Sequence, residues 1–385
     1  MYILKNLFII VWLLLLFSIR GEAQTTEHPG SPELKYTVFS AGDENVDSYR
    51  IPSLLTAKDG TLLVFCEARR ESWKDKSRTD IVVKRSEDMG RTWTVMQDLT
   101  QGTTGAYMDP TPILDSTTGR IFLFTTFWPS TNHSGMENRA ILVTSDDNGK
   151  TWSSPVDVTS AVIPEEYHIA GFGPGTGLQM VGERFKERLI LPARVIGPEG
   201  NAYNVAIHSD NHGETWTMGG KGSTDDEFQI AESPAGVLVY NARVPGARMV
   251  AYSTDGGVTW SKAVRKPALP GVSKGCQASI LGKGKTLYFS GIEGTAETAE
   301  YDERAGLSLY KSCDGGKTWN NGIRLYDKAS GYSCMSFLPD GRMAIIFETA
   351  DTPGFTRKSL PDTKPLKRPA GWMRLDLLIL PIINL

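Results

Sequence analysis

One eight-residue phrase occurs five times in the chain: SEDMGRTW from Ser86, SDDNGKTW from Ser145, SDNHGETW from Ser209, STDGGVTW from Ser253 and SCDGGKTW from Ser312. Each copy follows a run that reads as a strand: DIVVKRS, RAILVTS, YNVAIHS, RMVAYS and LSLYKS. These runs alternate or nearly alternate and are rich in β-branched and aromatic residues. In the phrase itself, Asp can accept backbone N–H groups two or three residues on, and Gly supplies a positive φ at little steric cost. Thr-Trp then opens a second strand and offers a large ring for packing. Five stapled hairpins on one chain require a repeating β architecture.

The first Ser recurs at intervals of 59, 64, 44 and 59 residues. Over the 362 residues after Ala23, that period gives about six units of several short strands each. The expectation is an all-β chain forming a six-bladed β-propeller, one domain over residues 24–385. No Pro-, Ser- or charge-rich linker divides it, and no long helical periodicity competes. A site used once does not need five copies, so the recurring Asp and Trp residues are read as turn and packing groups. Chemistry must come from residues that occur once.

The chain begins with Lys5, an apolar run from Leu7 to Phe17, and small residues at Gly21 and Ala23. That is the pattern of a cleaved signal peptide over residues 1–23, implying export and a secreted or periplasmic location. A transmembrane helix needs about 20 apolar residues, more than this run supplies. The tail GWMRLDLLILPIINL is also short and contains Arg374 and Asp376. It is expected to be a final buried strand, so no stable membrane insertion is expected after cleavage. A net charge of −3 leaves no electrostatic footprint for nucleic acid. Recognition of an anion must therefore come from a local cluster of cations. Cys66, Cys276, Cys313 and Cys334 permit two disulfides in an exported protein, but a chain this long does not need them, and both states stay open. The five His residues form no zinc motif, and NHS at Asn132 is a glycosylation sequon.

The combination of the repeats with YRIP at 49–52 resembles the exo-α-sialidases (neuraminidases), from about Tyr36 to the C-terminus. In that resemblance the repeats look like Asp-boxes, and three arginines bind the substrate carboxylate: Arg50 of YRIP, Arg243 of LVYNAR and Arg304 of DERAGLSLY. Arg suits the task, being always charged and able to donate two parallel hydrogen bonds to a carboxylate. Tyr332 in ASGYSCMSFL resembles the family's nucleophile, and Glu227 in DEFQIAES the carboxylate that takes its proton, with Glu232 a rival.

Sialidases with a Tyr nucleophile are exceptions to the two-carboxylate rule of glycosidases, and the reason is electrostatic. Sialic acid carries a carboxylate on its anomeric carbon. An anionic nucleophile ~4 Å away, at an effective dielectric of ~20, would meet a repulsion on the order of 4 kcal/mol. A neutral phenol does not. The resemblance makes Asp75 the general acid/base, with Asp80 structural, and partial burial would raise the acid's pKa.

The same resemblance places Glu67 and Arg69 on a strand lining the pocket. It puts Met108 and Asp109 against the sugar hydroxyls and the glycerol or acetamido side, Glu348 behind Arg50, and Trp128 either under an N-acetyl group or in plain packing. It implies no metal or organic cofactor, substrates that are sialylated glycoproteins, glycolipids or oligosaccharides, and a monomer. Transfer to another acceptor, selectivity for deaminated sialic acid, and a silent glycan- or protein-binding propeller are the alternative readings.

Overall fold

The computed structural model describes residues 34–101, 104–129, 135–294, 304–351 and 374–381. The expected leader and Asn132 lie outside the described residues. Among the described residues strands dominate, and helix is limited to Thr159–Val162 and three short 3-10 turns. No helix among the described residues is long and apolar enough to cross a membrane.

Every recurring phrase starts on the last residue of a strand: Thr79–Ser86, Arg139–Ser145, Ala202–Ser209, Ala247–Ser253 and Ala305–Ser312. The second copy shows why the chain turns there. Ser145 Oγ donates to Asp147 Oδ1 (2.9 Å) and accepts the N–H of Gly149 (2.9 Å), whose φ is 77°. Asp147 then accepts the N–H of Thr151 (2.9 Å) and its hydroxyl (2.6 Å). In the third copy Asn211 replaces Asp and accepts the same N–H, from Thr215, at 3.0 Å.

Two details differ from expectation. The acidic group reaches on to Thr four residues away besides the N–H three residues on, as Asp314 does with Thr318 (2.9 Å) and Lys317 (3.1 Å), while Ser Oγ holds the glycine N–H. The Trp does not open the next strand but tucks under the loop, and Trp152 donates its indole N–H to Gly149 O at 3.1 Å. Its ring packs edge-on against Phe65, as Trp216 packs against Phe122 and Phe124, each on strands of the preceding repeat. Both rings are half-buried, and each of these two seals one repeat to the one before.

The strands form sheets of eight, seven, five and four. In the eight-stranded sheet, the meander built on Ser48–Thr56, Leu62–Arg69 and Thr79–Ser86 joins the next one, built on Gly105–Leu114, Ile121–Pro129 and Arg139–Ser145. The join is a single parallel pair, Thr79 with Ala106. In the seven-stranded sheet, the 15-residue strand Ile323–Phe337 pairs first with Ala305–Ser312 and then with Met343–Thr349. The tail strand Arg374–Leu380 follows, buried as expected, with the N-terminal strand Leu34–Ser40 beside it. Buried Asp376 ties the chain ends, accepting from Thr37 Oγ1 (2.8 Å) and Lys35 Nζ (3.0 Å). All four cysteines are free, so no disulfide contributes.

Buried polar groups in a β core must be hydrogen-bonded, and here they link the first strands of successive meanders. Ser53 Oγ donates to Pro110 O (2.5 Å), Gly177 N to Pro112 O (3.0 Å) and Phe228 N to Gly173 O (3.0 Å). Ser279 Oγ donates to Gln229 Oε1 (3.0 Å) and Gln277 Nε2 to Ser333 O (3.0 Å). Ile51 N, donating to Glu348 Oε1 at 2.9 Å, returns the circuit to its start. Four of these strands slip register, between Arg50 and Ser53, Met108 and Thr111, Ile169 and Gly171, and Ser330 and Ser333. Such bulges re-aim side chains beside functional sites.

Candidate active site

The bulged strands face one cavity of about 430 Å³, lined by Arg50, Arg69, Asp75, Met108, Asp109, Trp128, Glu227, Arg243, Arg304 and Tyr332. Residues far apart in the chain thus share a single wall. Ile51 and Asp109, at two of the bulges, hold φ of 54° and 59°. For a β-branched residue that is a costly backbone state, kept only where the surroundings over-determine it.

Tyr332 stands at the centre. Its hydroxyl donates to Glu227 Oε1 at 2.5 Å and accepts from Arg243 Nη1 at 3.0 Å. The same Arg243 nitrogen donates to Glu227 Oε2 at 2.8 Å. The guanidinium carbons of Arg50 and Arg304 lie 5.3 and 5.5 Å from the phenol ring centre. Burial, then the Glu227 charge, push the phenol pKa well above its ordinary value, against the pull of Arg243 and Arg304. The phenol is neutral until a base takes its proton, and Glu227 is in contact to do so.

Glu348 lies behind Arg50 rather than on the cavity wall. It is fully buried and takes Arg50 Nε (3.0 Å) and Nη2 (3.1 Å), as well as the N–H groups of Ile51 and Tyr332. One carboxylate therefore orients Arg50 and fixes the backbone of Tyr332. Left without such a partner, a buried charge would cost several kcal/mol. Glu67 plays a matching part, accepting from Arg69 Nε (3.0 Å) and Nη2 (2.7 Å) and from the N–H of Asp109 (3.1 Å). Glu232 is turned away from the cavity and holds the N–H groups of Val181 and Gly182. Asp80 is paired with Arg70 at 3.0 Å on its strand.

Asp75 corrects an expectation. Its place in a concave wall does raise its pKa, but Arg69 at 2.7 Å and Arg50 at 3.8 Å outweigh burial and hold the carboxyl below the usual range. With 67% of its side chain exposed, solvent also favours the anion.

Four residues on or beside this wall have no counterpart in the sequence reading: Lys76, Ala170 and Arg194 line it, and Asp226 pairs with two of its arginines. Lys76 lies 3.8 Å above the Trp128 ring, which places Trp128 on the wall. Arg194 bridges Asp109 (3.3 Å) and Asp226 (2.9 Å), and Asp226 reaches Arg243 Nε at 3.5 Å. Acidic and basic side chains thus alternate from Asp109 to the phenol of Tyr332. Among the described residues, no group of three or more His, Cys, Asp or Glu is placed to hold a metal ion. The arrangement can bind one carboxylate between three guanidiniums, deprotonate a phenol, and offer a carboxyl to a leaving group.

Residues 104–345 match the BNR repeat-like domain. The chain is 30% identical over 351 residues to a sialidase of Bacteroides fragilis, covering 81% of this chain and 62% of that protein. It is likewise 30% identical over 364 residues to a sialidase of Paraclostridium sordellii, covering 82% and 85%. The solved Hadza microbial sialidase Hz136 superposes with a TM-score of 0.76 at 28% identity, over 90% of this chain and 68% of that one. The chain spans less than two thirds of the Bacteroides protein and most of the Paraclostridium one.

Proposed function

Because this chain belongs to the sialidase family of glycoside hydrolases, we propose that it is a retaining exo-α-sialidase. It releases terminal α-linked sialic acids from glycoproteins, glycolipids or oligosaccharides through a covalent intermediate on tyrosine. The observation that carries this reading is the 2.5 Å contact from Tyr332 to Glu227 among three guanidiniums.

In this reading the substrate carboxylate lies between Arg50, Arg243 and Arg304. Tyr332 Oη attacks C2 as Glu227 accepts the phenolic proton. Asp75 gives its proton to the departing oxygen, and positive charge on the ring is spread against the neighbouring carboxylates. Asp75, now an anion, takes a proton from water. The resulting hydroxide equivalent attacks C2, and the phenolate leaves and recovers its proton from Glu227. Two inversions leave the configuration unchanged.

The same proposal takes the antiparallel meanders as six blades of a propeller, supported by the hydrogen-bond circuit that returns to Ile51 and by the chain ends meeting at Asp376. Export as a monomer belongs to the proposal too, its export resting on the leader-like composition of residues 1–23. The test is hydrolysis of a fluorogenic α-sialoside by the wild-type chain and Tyr332→Phe. Wild type should release the fluorophore and, by NMR, first the α-anomer, while Tyr332→Phe should lose at least roughly 10³-fold in kcat, the scale of losing a nucleophile. No release by wild type between acidic and neutral pH removes the enzyme reading. Full activity of Tyr332→Phe removes the nucleophile.

A further inference from the structure

We propose that Arg194 is a specificity-determining residue that, paired with Asp109, reads a hydroxyl group of the sugar and so sets which sialic acid variants the cavity accepts. The inference rests on the sialidase reading and deepens it.

Arg194 stands on the strand Leu189–Ile196 and lines the same cavity as Tyr332. Its position on the wall, not its charge balance, sets it apart, since Arg50 and Arg243 also face two carboxylates each. Arg50, Arg243 and Arg304 converge on one phenol, where an incoming anion gains from all three. Arg194 lies between two carboxylates, Asp109 at 3.3 Å and Asp226 at 2.9 Å. With Asp109 beside it, the guanidinium presents a donor next to an acceptor on one wall, a pairing that a neutral hydroxyl can answer and a second anion cannot. A guanidinium has five N–H donors, and the two contacts leave donors over. Its Nε has no partner, and 19% of the side chain remains exposed.

The pair is built into the fold. A Cβ on Gly171 would lie 2.6 Å from Arg194 Nη2 and 2.7 Å from Asp109 Oδ2, so a residue without a side chain is needed opposite. Asp109 is held in its left-handed backbone by the Glu67 carboxylate on its N–H. Donor and acceptor therefore meet at one fixed point of the wall. The natural complement is a hydroxyl, which both gives and accepts a hydrogen bond. A methylene at that point would leave buried polar groups unanswered, which is how sites reject analogues that lack a hydroxyl.

The experiment compares kcat/KM for a parent sialoside and for analogues each lacking one ring or side-chain hydroxyl. The enzymes are wild type, Arg194→Gln, Arg194→Lys and Gly171→Ala. Wild type should lose roughly 10- to 100-fold on one analogue, the range for a hydrogen bond to a charged donor. Arg194→Gln should lose a similar factor on the parent yet little more on that analogue, so its discrimination ratio falls toward one. Arg194→Lys should recover part of the ratio. Gly171→Ala, which keeps every charged group but displaces the guanidinium, should lower the ratio as well.

If Arg194→Gln and Gly171→Ala both fold, by an unchanged melting transition, and lower all substrates by one common factor, Arg194 is structural and the inference is overturned. Wild type with no activity on any sialoside overturns the sialidase reading instead, and this inference with it.

Discussion

In the proposed mechanism, Asp75 faces two opposed demands. A general acid must carry a proton, yet Arg69 and Arg50 hold this carboxyl below its ordinary pKa against the effect of burial. A substrate carboxylate docking on Arg50 draws one of those cations away, so the acid recovers its proton affinity with the sugar in place. The basic limb of kcat/KM, set by the free enzyme, should therefore lie at lower pH than that of kcat. Replacing Arg69 by Gln removes the nearer cation, favours the neutral acid and should move the basic limb of kcat/KM upward, as pH–rate profiles will show. An unmoved limb would mean that Asp75 is not the acid. The same ion pair is linked to stability. A depressed carboxylate contributes above its unfolded value of 3.8 and loses that contribution as pH falls through its folded value.

The recurring turns are an independent element of acid stability. Thr hydroxyl and backbone N–H groups hold Asp88 and Asp314 down to about 2, with burial opposing. Their contribution is complete above the ordinary Asp range and is lost as pH falls from about 4 toward about 2. Asp314→Ala at neutral pH should cost about 1–2 kcal/mol, the scale of lost capping-type bonds. Asp314→Asn should keep part of that and flatten the acid limb of stability, since Asn211 already makes the equivalent contact in the third turn. Urea melts at pH 7 and pH 3 will measure both.

These turns were legible in the sequence because each is local: Ser, Asp, Gly and Trp lie within eight residues of one another. The bulges were not. Alternation predicts an unbroken strand through YRIP, and nothing in Ile51 itself announces a left-handed backbone. The usable signal was proline, since Ile51 and Asp109 each precede one, Pro52 and Pro110, and proline inside a strand pattern belongs at bulges. Arg194 has no motif at all. Only the three-dimensional neighbourhood of Gly171 reveals why it is there.

At the scale of the whole molecule, the last strand holds the two ends of the chain together. Leu375, Leu377, Leu378, Ile379 and Leu380 are essentially fully buried. At about 1.5–3 kcal/mol each, their burial is comparable with the entire stability of a typical domain, about 5–15 kcal/mol. Removing residues 374–385 should abolish the cooperative near-ultraviolet transition. A truncated chain that melts like wild type would show that the terminal pairing is dispensable.

The site depends on that pairing, since Glu348, which orients Arg50 and the Tyr332 backbone, lies on the strand next to it. The most direct test of the account is to trap the intermediate. A 2,3-difluorinated sialic acid slows release of the sugar, and peptide mass spectrometry then locates it. One sugar is expected on the peptide containing Tyr332 in wild type and none in Tyr332→Phe. A sugar on Glu227 or Asp75, or none on a wild-type enzyme that turns over sialosides, would contradict it.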